Sequence, residues 1–437
     1  MRELDSGGKT MREAPRVLRP NRAQIELRPS DLESLLPADH RARAIWDFVE
    51  GLDLEVLYDG IRSVEGHAGR PAIDPAILLS LWIYATSEGI GSARALERLC
   101  EAHDAYRWLC GGVAVCAHTL SDFRVGHGTV LDDLLTQSVA GLMAEGLVEL
   151  TRVAQDGIRV RASAGAASFR RRQKLRECLR AASKRITELR RELDEDPAAS
   201  TRREATARER AARDRKQRVA QALERLRKEE GERAVRAKER PREVTKEPRA
   251  STTDPEARVM RMADGGYRPA YNGQIATDVG SQIIVGVAVT TQATDHGQLT
   301  PMREQIERRY GVAPKSMLVD GGFVSLADLD AVERAGCRVY APPMQRPVPG
   351  RRSDRRRHRR DTPALTTWRR RMGTKAAQAI YRLRAATAEC VNALARGRGL
   401  DHFPVRGPDK ARSVLLWFSL THNALRSVTL RAQVAAT

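Results

Sequence analysis

Two aspartates in this sequence stand where an acid can do chemistry. Asp156 lies in VAQDGIRV and Asp320 in MLVDGGF, each at or just past the end of an apolar run and each followed by glycine. In open α/β sheets ligands collect at the carboxyl ends of strands, so an acid placed there faces a crevice while its neighbours are buried. Two such ends in adjacent strands bring two carboxylates to one metal pair. Mg²⁺ is a hard cation that takes oxygen ligands, usually one or two carboxylates together with substrate phosphate oxygens, so the chemistry suggested is phosphoryl transfer. Asp-Gly is also an ordinary turn signal, and either aspartate taken alone reads first as a turn residue. A third acid, Glu389, lies in AIYRLRAATAECVNALAR, where helical spacing puts Arg382 and Arg396 on its face. A glutamate among arginines is commonly a solvated salt-bridge position. Its neighbours Ala385, Ala386, Ala388, Cys390, Val391 and Ala393 point instead to a helix packed on a sheet, with Glu389 at its edge.

The charge balance suits a phosphate-bearing partner. The 437 residues hold 76 Lys and Arg against 56 Asp and Glu, a net charge of +20 and a pI near 10.3. That is the footprint of a polyanion partner, nucleic acid ahead of an anionic membrane surface. Arg355, Arg356 and Arg357 belong to a dense basic run, PVPGRRSDRRRHRRD, able to neutralise several phosphates without reading bases, or else to remain a solvated loop. The longest apolar run, VLLWFSL, is far short of the roughly 18 residues that span a bilayer. The first residues lack the apolar segment of a secretory signal, so a cytoplasmic location is expected. The six cysteines form no CxxC pair and read as reduced thiols. Cys110, Cys116, His118 and His127 match no common zinc spacing and read as packing residues. His422 and Asn423, in LWFSLTHNALR, read as packing or capping positions on a one-sided helix.

The elements that must position these acids fall into segments of different grain. Residues 1–23 are expected to be a flexible N-terminus and 24–147 a compact helical domain, with a helix opening at Asp74 and Pro75 and carrying Ile77, Leu78, Leu81, Trp82 and Ala85 on one face. HTLSDFR, from His118, reads as a turn between two further helices, either a DNA-reading helix pair or simple packing. Residues 169–249 are dominated by Arg, Lys, Glu and Ala. Leu175, Leu179, Ala182, Ile186, Leu189 and Leu193 make a heptad seam there, answered by Ala212, Val219, Leu223 and Leu226, which predicts an antiparallel coiled-coil hairpin turning at Pro197. The alternative is a charged linker. Residues 148–168 and 250–437 are expected to form an α/β domain interrupted by that insertion, with strands at LTRVAQDGIRV, YNGQIATDV, QIIVGVAVTT, SMLVDGG and CRVYAPP.

Taken in order, VAQDGIRVRASAG, TDPEARVM, YNGQIATDV, TDHGQL, LVDGGF and YRLRAATAECVNALARGRGLDHF resemble the catalytic domain of bacterial insertion-sequence transposases of the DDE class. Residues 69–127 resemble the InsH-type N-terminal domain of the same enzymes. The resemblance implies an RNase H-like catalytic fold in which Asp156, Asp320 and Glu389 are the catalytic carboxylates and hold two Mg²⁺ or Mn²⁺ ions. It implies double-stranded DNA as partner, both element ends and target, a homodimer on that DNA, and association with the bacterial nucleoid. The Tyr, Arg and Lys that accompany the Glu in this family fall on Tyr381, Arg384 and, as a replacement, Arg396, which are expected to contact DNA. On a regular helix the four residues between Arg384 and Glu389 turn the arginine off the Glu389 face and leave Arg382 as its rival. The competing readings are a transposase-derived DNA-binding protein without chemistry and a charged helical scaffold for nucleic acid.

Overall fold

The structure is a computed structural model that describes residues 31–64, 66, 70–195, 201–239, 247–343 and 361–436. The stretch 1–23, the turn expected at Pro197 and the cluster Arg355, Arg356 and Arg357 lie outside the described residues.

The N-terminal third is helical: α1 (Arg41–Glu50), α2 (Glu55–Asp59), α3 (Pro75–Ser87), α4 (Ala93–Ala102), α5 (Asp104–Cys110), α6 (Ala117–Gly126) and α7 (Gly128–Ala144). Asp74 caps α3 by accepting from the Ala76 N–H, and Pro75 fills the first helical position, where a missing N–H costs nothing. Every residue from Ile77 to Ala85 is buried, as an all-apolar helix requires. HTLSDFR is not a turn: it is the body of α6, and the break falls at His127. The helix forms because Leu120, Phe123 and Arg124 share a face that has something to pack on. Trp82 donates its indole N–H to Leu120 O at 3.0 Å, and the Arg124 guanidinium lies 4.9 Å from the centre of the Trp82 ring.

β1 (Arg152–Arg161) follows, and β2 (Phe169–Arg170) leads into two long helices, α8 (Arg172–Glu195) and α9 (Arg202–Glu239). They run antiparallel, Arg172 meeting Glu230 at 3.2 Å near one end and Arg190 meeting Glu209 at 3.0 Å near the other. Leu175 is buried against Val219, Ala222 and Leu226, with Leu179 and Leu223 beside them. At the base of this α-hairpin, β2 pairs with β3 (Ala250–Ser251).

The chain then builds a mixed sheet from β4 (Arg258–Arg261), β5 (Tyr267–Asp278), β6 (Ile284–Thr290), β7 (Ser316–Leu318) and β8 (Arg338–Tyr340), with α10 (Leu299–Tyr310) and α11 (Leu326–Arg334) between strands. The strand order is β4-β5-β1-β7-β8, with β6 also on β5. β1 is antiparallel to β5 and parallel to β7, and β7 is parallel to β8. The last segment holds α12 (Pro363–Met372), α13 (Lys375–Arg384), a π-helical turn (Ala385–Glu389), α14 (Cys390–Gly397) and the long α15 (Pro408–Ala435). The architecture is mixed α/β, with a helical N-terminal region and a curled mixed sheet, consistent with the RNase H-like fold that the resemblance implies.

α15 joins the two halves. Trp417 donates to Arg124 O at 3.0 Å on one side, while Asn423 accepts from Ile284 N and donates to Ile284 O, both at 2.8 Å, on the other. Asn423 thus serves β6 as a neighbouring strand would, and one continuous apolar core runs from the N-terminal helices through the sheet. His422 is buried beside it with Nε2 2.8 Å from Gln282 O, and burial pushes its pKa down to about 4. Both are packing residues. Among the described residues no helix is long and apolar enough to cross a membrane.

Candidate active site

Asp156 does not end its strand. It is the fifth of ten residues in β1, because β5 pairs with β1 along nearly its whole length, with Asp156 opposite Ile275. What ends there is the other neighbour: the β1–β7 ladder stops at Ala154 opposite Leu318. Asp156 lies two residues past Ala154 and Asp320 two past Leu318, close enough for the charge of Asp320 to act on Asp156. Asp320 opens a short helical turn, accepting from the Gly322 N–H at 2.8 Å, so its Asp-Gly is a turn, the reading that either aspartate taken alone suggested. Burial pushes the Asp156 pKa up to about 6; Arg384 opposes this, and the charge of Asp320 adds to it.

The third acid is reached through an arginine. Arg384 Nη1 lies 3.6 Å from Asp156 Oδ2, and its Nη2 is 2.7 Å from Glu389 Oε1. The arginine side chain is 13% exposed, whereas that of Glu389 is 57% exposed. Arg384 also lies over the Tyr381 ring, 5.9 Å from its centre, a cation–π distance. Arg382, the expected rival, is exposed, and Glu389 pairs with Arg384 instead. The reason is the π-helical turn over Ala385–Glu389, which takes up one extra residue and returns Glu389 to the Arg384 face. Arg396 is exposed and lines a groove of about 400 Å³ with Gly157, Arg159, Arg161, Arg268 and Asp401.

Two features escaped the sequence reading. Asn392 is buried and donates its side-chain N–H to Asp156 Oδ2 at 3.0 Å, while the Gly157 N–H donates to Oδ1 at 2.9 Å. A polar residue in the buried set Val391, Asn392 and Ala395 was the available signal. On the opposite face of the same strand pair, Asp295 of TDHGQL accepts from Asn272 at 2.8 Å and Gln274 at 2.6 Å. Its carboxylate rests on Gly157, where any Cβ would collide with it.

The arrangement brings Asp320 within electrostatic reach of Asp156 and ties Glu389 to Asp156 through a guanidinium. Among the described residues no three metal-ligating side chains lie within reach of one ion. Cys110, Cys116, His118 and His127 form no such group either.

Residues 30–125 match the family model described as a transposase domain, DUF772, and residues 247–424 match the transposase DDE domain. The second match contains Asp320 and Glu389, and Asp156 lies ahead of it, on the far side of the α-hairpin. No curated protein and no solved structure gives a significant match.

Proposed function

The chain belongs to the insertion-sequence transposases of the DDE class, and on that premise we propose that it cuts DNA at the ends of its element and joins those ends to target DNA, with Asp156, Asp320 and Glu389 as the catalytic carboxylates. The observation that supports this reading is the Arg384 guanidinium between Asp156 and Glu389, with the charge of Asp320 felt at Asp156 from the neighbouring strand β7.

The donor set suits a hard divalent cation. Its ligands are carboxylate oxygens, and the raised Asp156 pKa is what burial and a like charge do to an acid whose cationic partner is incomplete. Asp156, Asp320 and Glu389 would hold two Mg²⁺ or Mn²⁺ ions, which when bound supply charge stabilisation to in-line displacement at phosphorus. The remaining work falls to the chain's own side chains. Asn392 and the Gly157 N–H fix the Asp156 carboxylate, one donor to each oxygen. Arg384 leaves the carboxylates to pair with a DNA phosphate, which frees Glu389 to turn inward. Tyr381, Arg382 and Arg396 on the helix, with Arg355, Arg356 and Arg357 ahead of it, take further phosphates. A water attacks the phosphorus at the element's end and displaces the 3′-oxygen, and that 3′-hydroxyl then attacks a target phosphorus and displaces the target strand's 3′-oxygen, with no covalent enzyme intermediate.

The same reading divides the chain into a helical domain (24–147), a catalytic domain (148–168 and 250–437) and an inserted coiled coil (169–249). It makes the working form a homodimer holding two DNA ends, in the cytoplasm and on the nucleoid. The test is a cleavage assay with Mg²⁺ or Mn²⁺, on DNA carrying the element's ends, run beside a gel-shift titration. Asp156→Asn, Asp320→Asn and Glu389→Gln should each abolish cutting and leave binding intact. Cutting by the Asp156 or Asp320 variant at the parental rate refutes the assignment.

A further inference from the structure

The α-hairpin and its connections carry more than half of the chain's charge. Residues 169–249 hold 28 Lys and Arg against 16 Asp and Glu, a net +12 of the total +20. A charge of that size on a two-helix element serves neither its seam, which is apolar, nor the pairing of β2 with β3 at its base.

At the root of the hairpin, between α9 and the strands β3 and β4, lies a cavity of about 920 Å³. Its wall presents Arg171, Arg225, Arg233, Arg249 and Arg258 against Glu229 and Glu247. Part of that charge is used internally: Arg171 meets Glu247 at 3.0 Å, Arg233 meets Glu229 at 2.6 Å, and Arg258 reaches Glu232 at 3.8 Å. The rest is not. Arg225 Nη2 and Arg258 Nε are buried without a hydrogen-bond partner, and Arg249 is exposed on the rim. A buried guanidinium N–H lacking an acceptor is costly, and a rotation of the Arg225 side chain, which lines the cavity, offers that N–H to an anion there. The guanidinium fork matches phosphate oxygens, and the space is far larger than one phosphate needs. Between the arginines the wall is apolar, with Phe169, Pro255 and Val259, which suits the sugar faces that separate successive phosphates.

We propose that this cavity docks the phosphodiester backbone of double-stranded DNA, so that the α-hairpin is a second, sequence-independent anchor outside the cutting site. The proposal rests on the DNA-transposing function given above. Arg225 and Arg249 supply the free donors, and the charge along the hairpin draws the duplex to them.

The experiment is a salt titration of the full chain on a 40-base-pair duplex of arbitrary sequence, because counterion release makes log K fall with log salt by about 0.9 per phosphate neutralised. Arg225→Gln/Arg249→Gln should flatten that slope by about 2 and weaken binding at least about tenfold at 0.15 M salt. Arg208→Gln/Arg210→Gln removes equal charge farther along α9 and should change the slope by less than about 0.5. Arg225→Lys/Arg249→Lys should retain most of the slope, and circular dichroism of each variant should show the parental helix content. Equal flattening by the two glutamine pairs, or by neither, overturns the assignment. Inorganic phosphate that raises the parental melting temperature while the Arg225/Arg249 pair leaves the duplex slope unchanged makes this a small-anion site, and overturns it too. If the parent binds no duplex at all, the function proposed above falls with it; if the parent binds and only the Arg225/Arg249 result fails, that function stands.

Discussion

Arg384 and Glu389 stand five residues apart on a helix and still meet at 2.7 Å. A regular α-helix places neighbours three and four residues apart, and the fifth position is turned away. The π-helical turn between them absorbs the difference, so the arginine that faces Asp156 also faces Glu389. Such turns are rare and collect at functional sites, where one added residue re-aims a side chain without breaking the helix.

One more alanine inserted after Ala386 would turn Glu389 by about 100° away from Arg384. Metal-dependent cleavage should then drop at least about 100-fold, while gel-shift affinity for DNA stays within about twofold. Parental cleavage would show that the facing of Glu389 does not matter. The two-carboxylate part of the site would be unaffected.

Asp156 should make the fold less stable as pH rises. Its folded pKa is about 6, above the ordinary 3.8, so between those values the folded chain binds more protons than the unfolded one. The stability is therefore present below about pH 4 and lost through about pH 6, by an amount of order 3 kcal/mol at 1.36 kcal/mol per unit. Urea unfolding should find Asp156→Asn more stable than the parent at pH 8, by roughly 1–3 kcal/mol after its lost ion pair is deducted, with the advantage gone at pH 4.

Arg384→Gln acts in the opposite sense. It leaves Asp156 near the charge of Asp320 without its cation, and the Asp156 pKa should climb further. Stability at pH 7 should fall by about 1–3 kcal/mol, and the deficit should shrink at pH 5, where Asp156 takes up a proton. Chemical-shift titration of the Asp156 carboxyl carbon checks the direction. A downward move contradicts the ion pair.

Asn392→Leu removes a buried donor from the Asp156 carboxylate. Cleavage should slow about tenfold, the equivalent of a 1.4 kcal/mol loss of positioning, with DNA affinity unchanged. Asn392→Asp should be worse, because it sets a third acid against Asp156. If the leucine variant cuts at the parental rate, Asn392 is only a packing residue.

Asp156 and Asp320 stood out in the sequence because each interrupts an apolar run with an acid and a glycine, although only Asp320 follows the end of its strand. β6, β7 and β8 were legible for the same reason: short apolar runs bounded by turn residues. The length of β1 was legible too, as LTRVAQDGIRV, but the place of Asp156 within it was not: that β7 pairs only as far as Ala154 while β5 pairs on to Arg161 depends on partners distant in the chain. The α6 helix was hidden because HTLSDFR is weakly periodic by itself, and what makes it helical is Trp82 of α3. Arg384 was displaced in the reading because residue counting assumes a uniform helix, and the π-helical turn breaks that assumption.

The small β2–β3 clip at the base of the α-hairpin changes the order in which the sheet can assemble. β1 leaves the ribosome roughly a hundred residues before β5, its main partner, so a central strand would wait with both edges bare while a long disordered loop closed. α8 and α9 can meet by local contacts first, and Phe169 then pairs with Ser251, shortening the effective loop to roughly twenty residues. By loop-closure entropy that shortcut lowers the cost of bringing β5 to β1 by roughly 1.4 kcal/mol. A chain lacking the clip would spend longer with an open strand edge, the state from which aggregates grow.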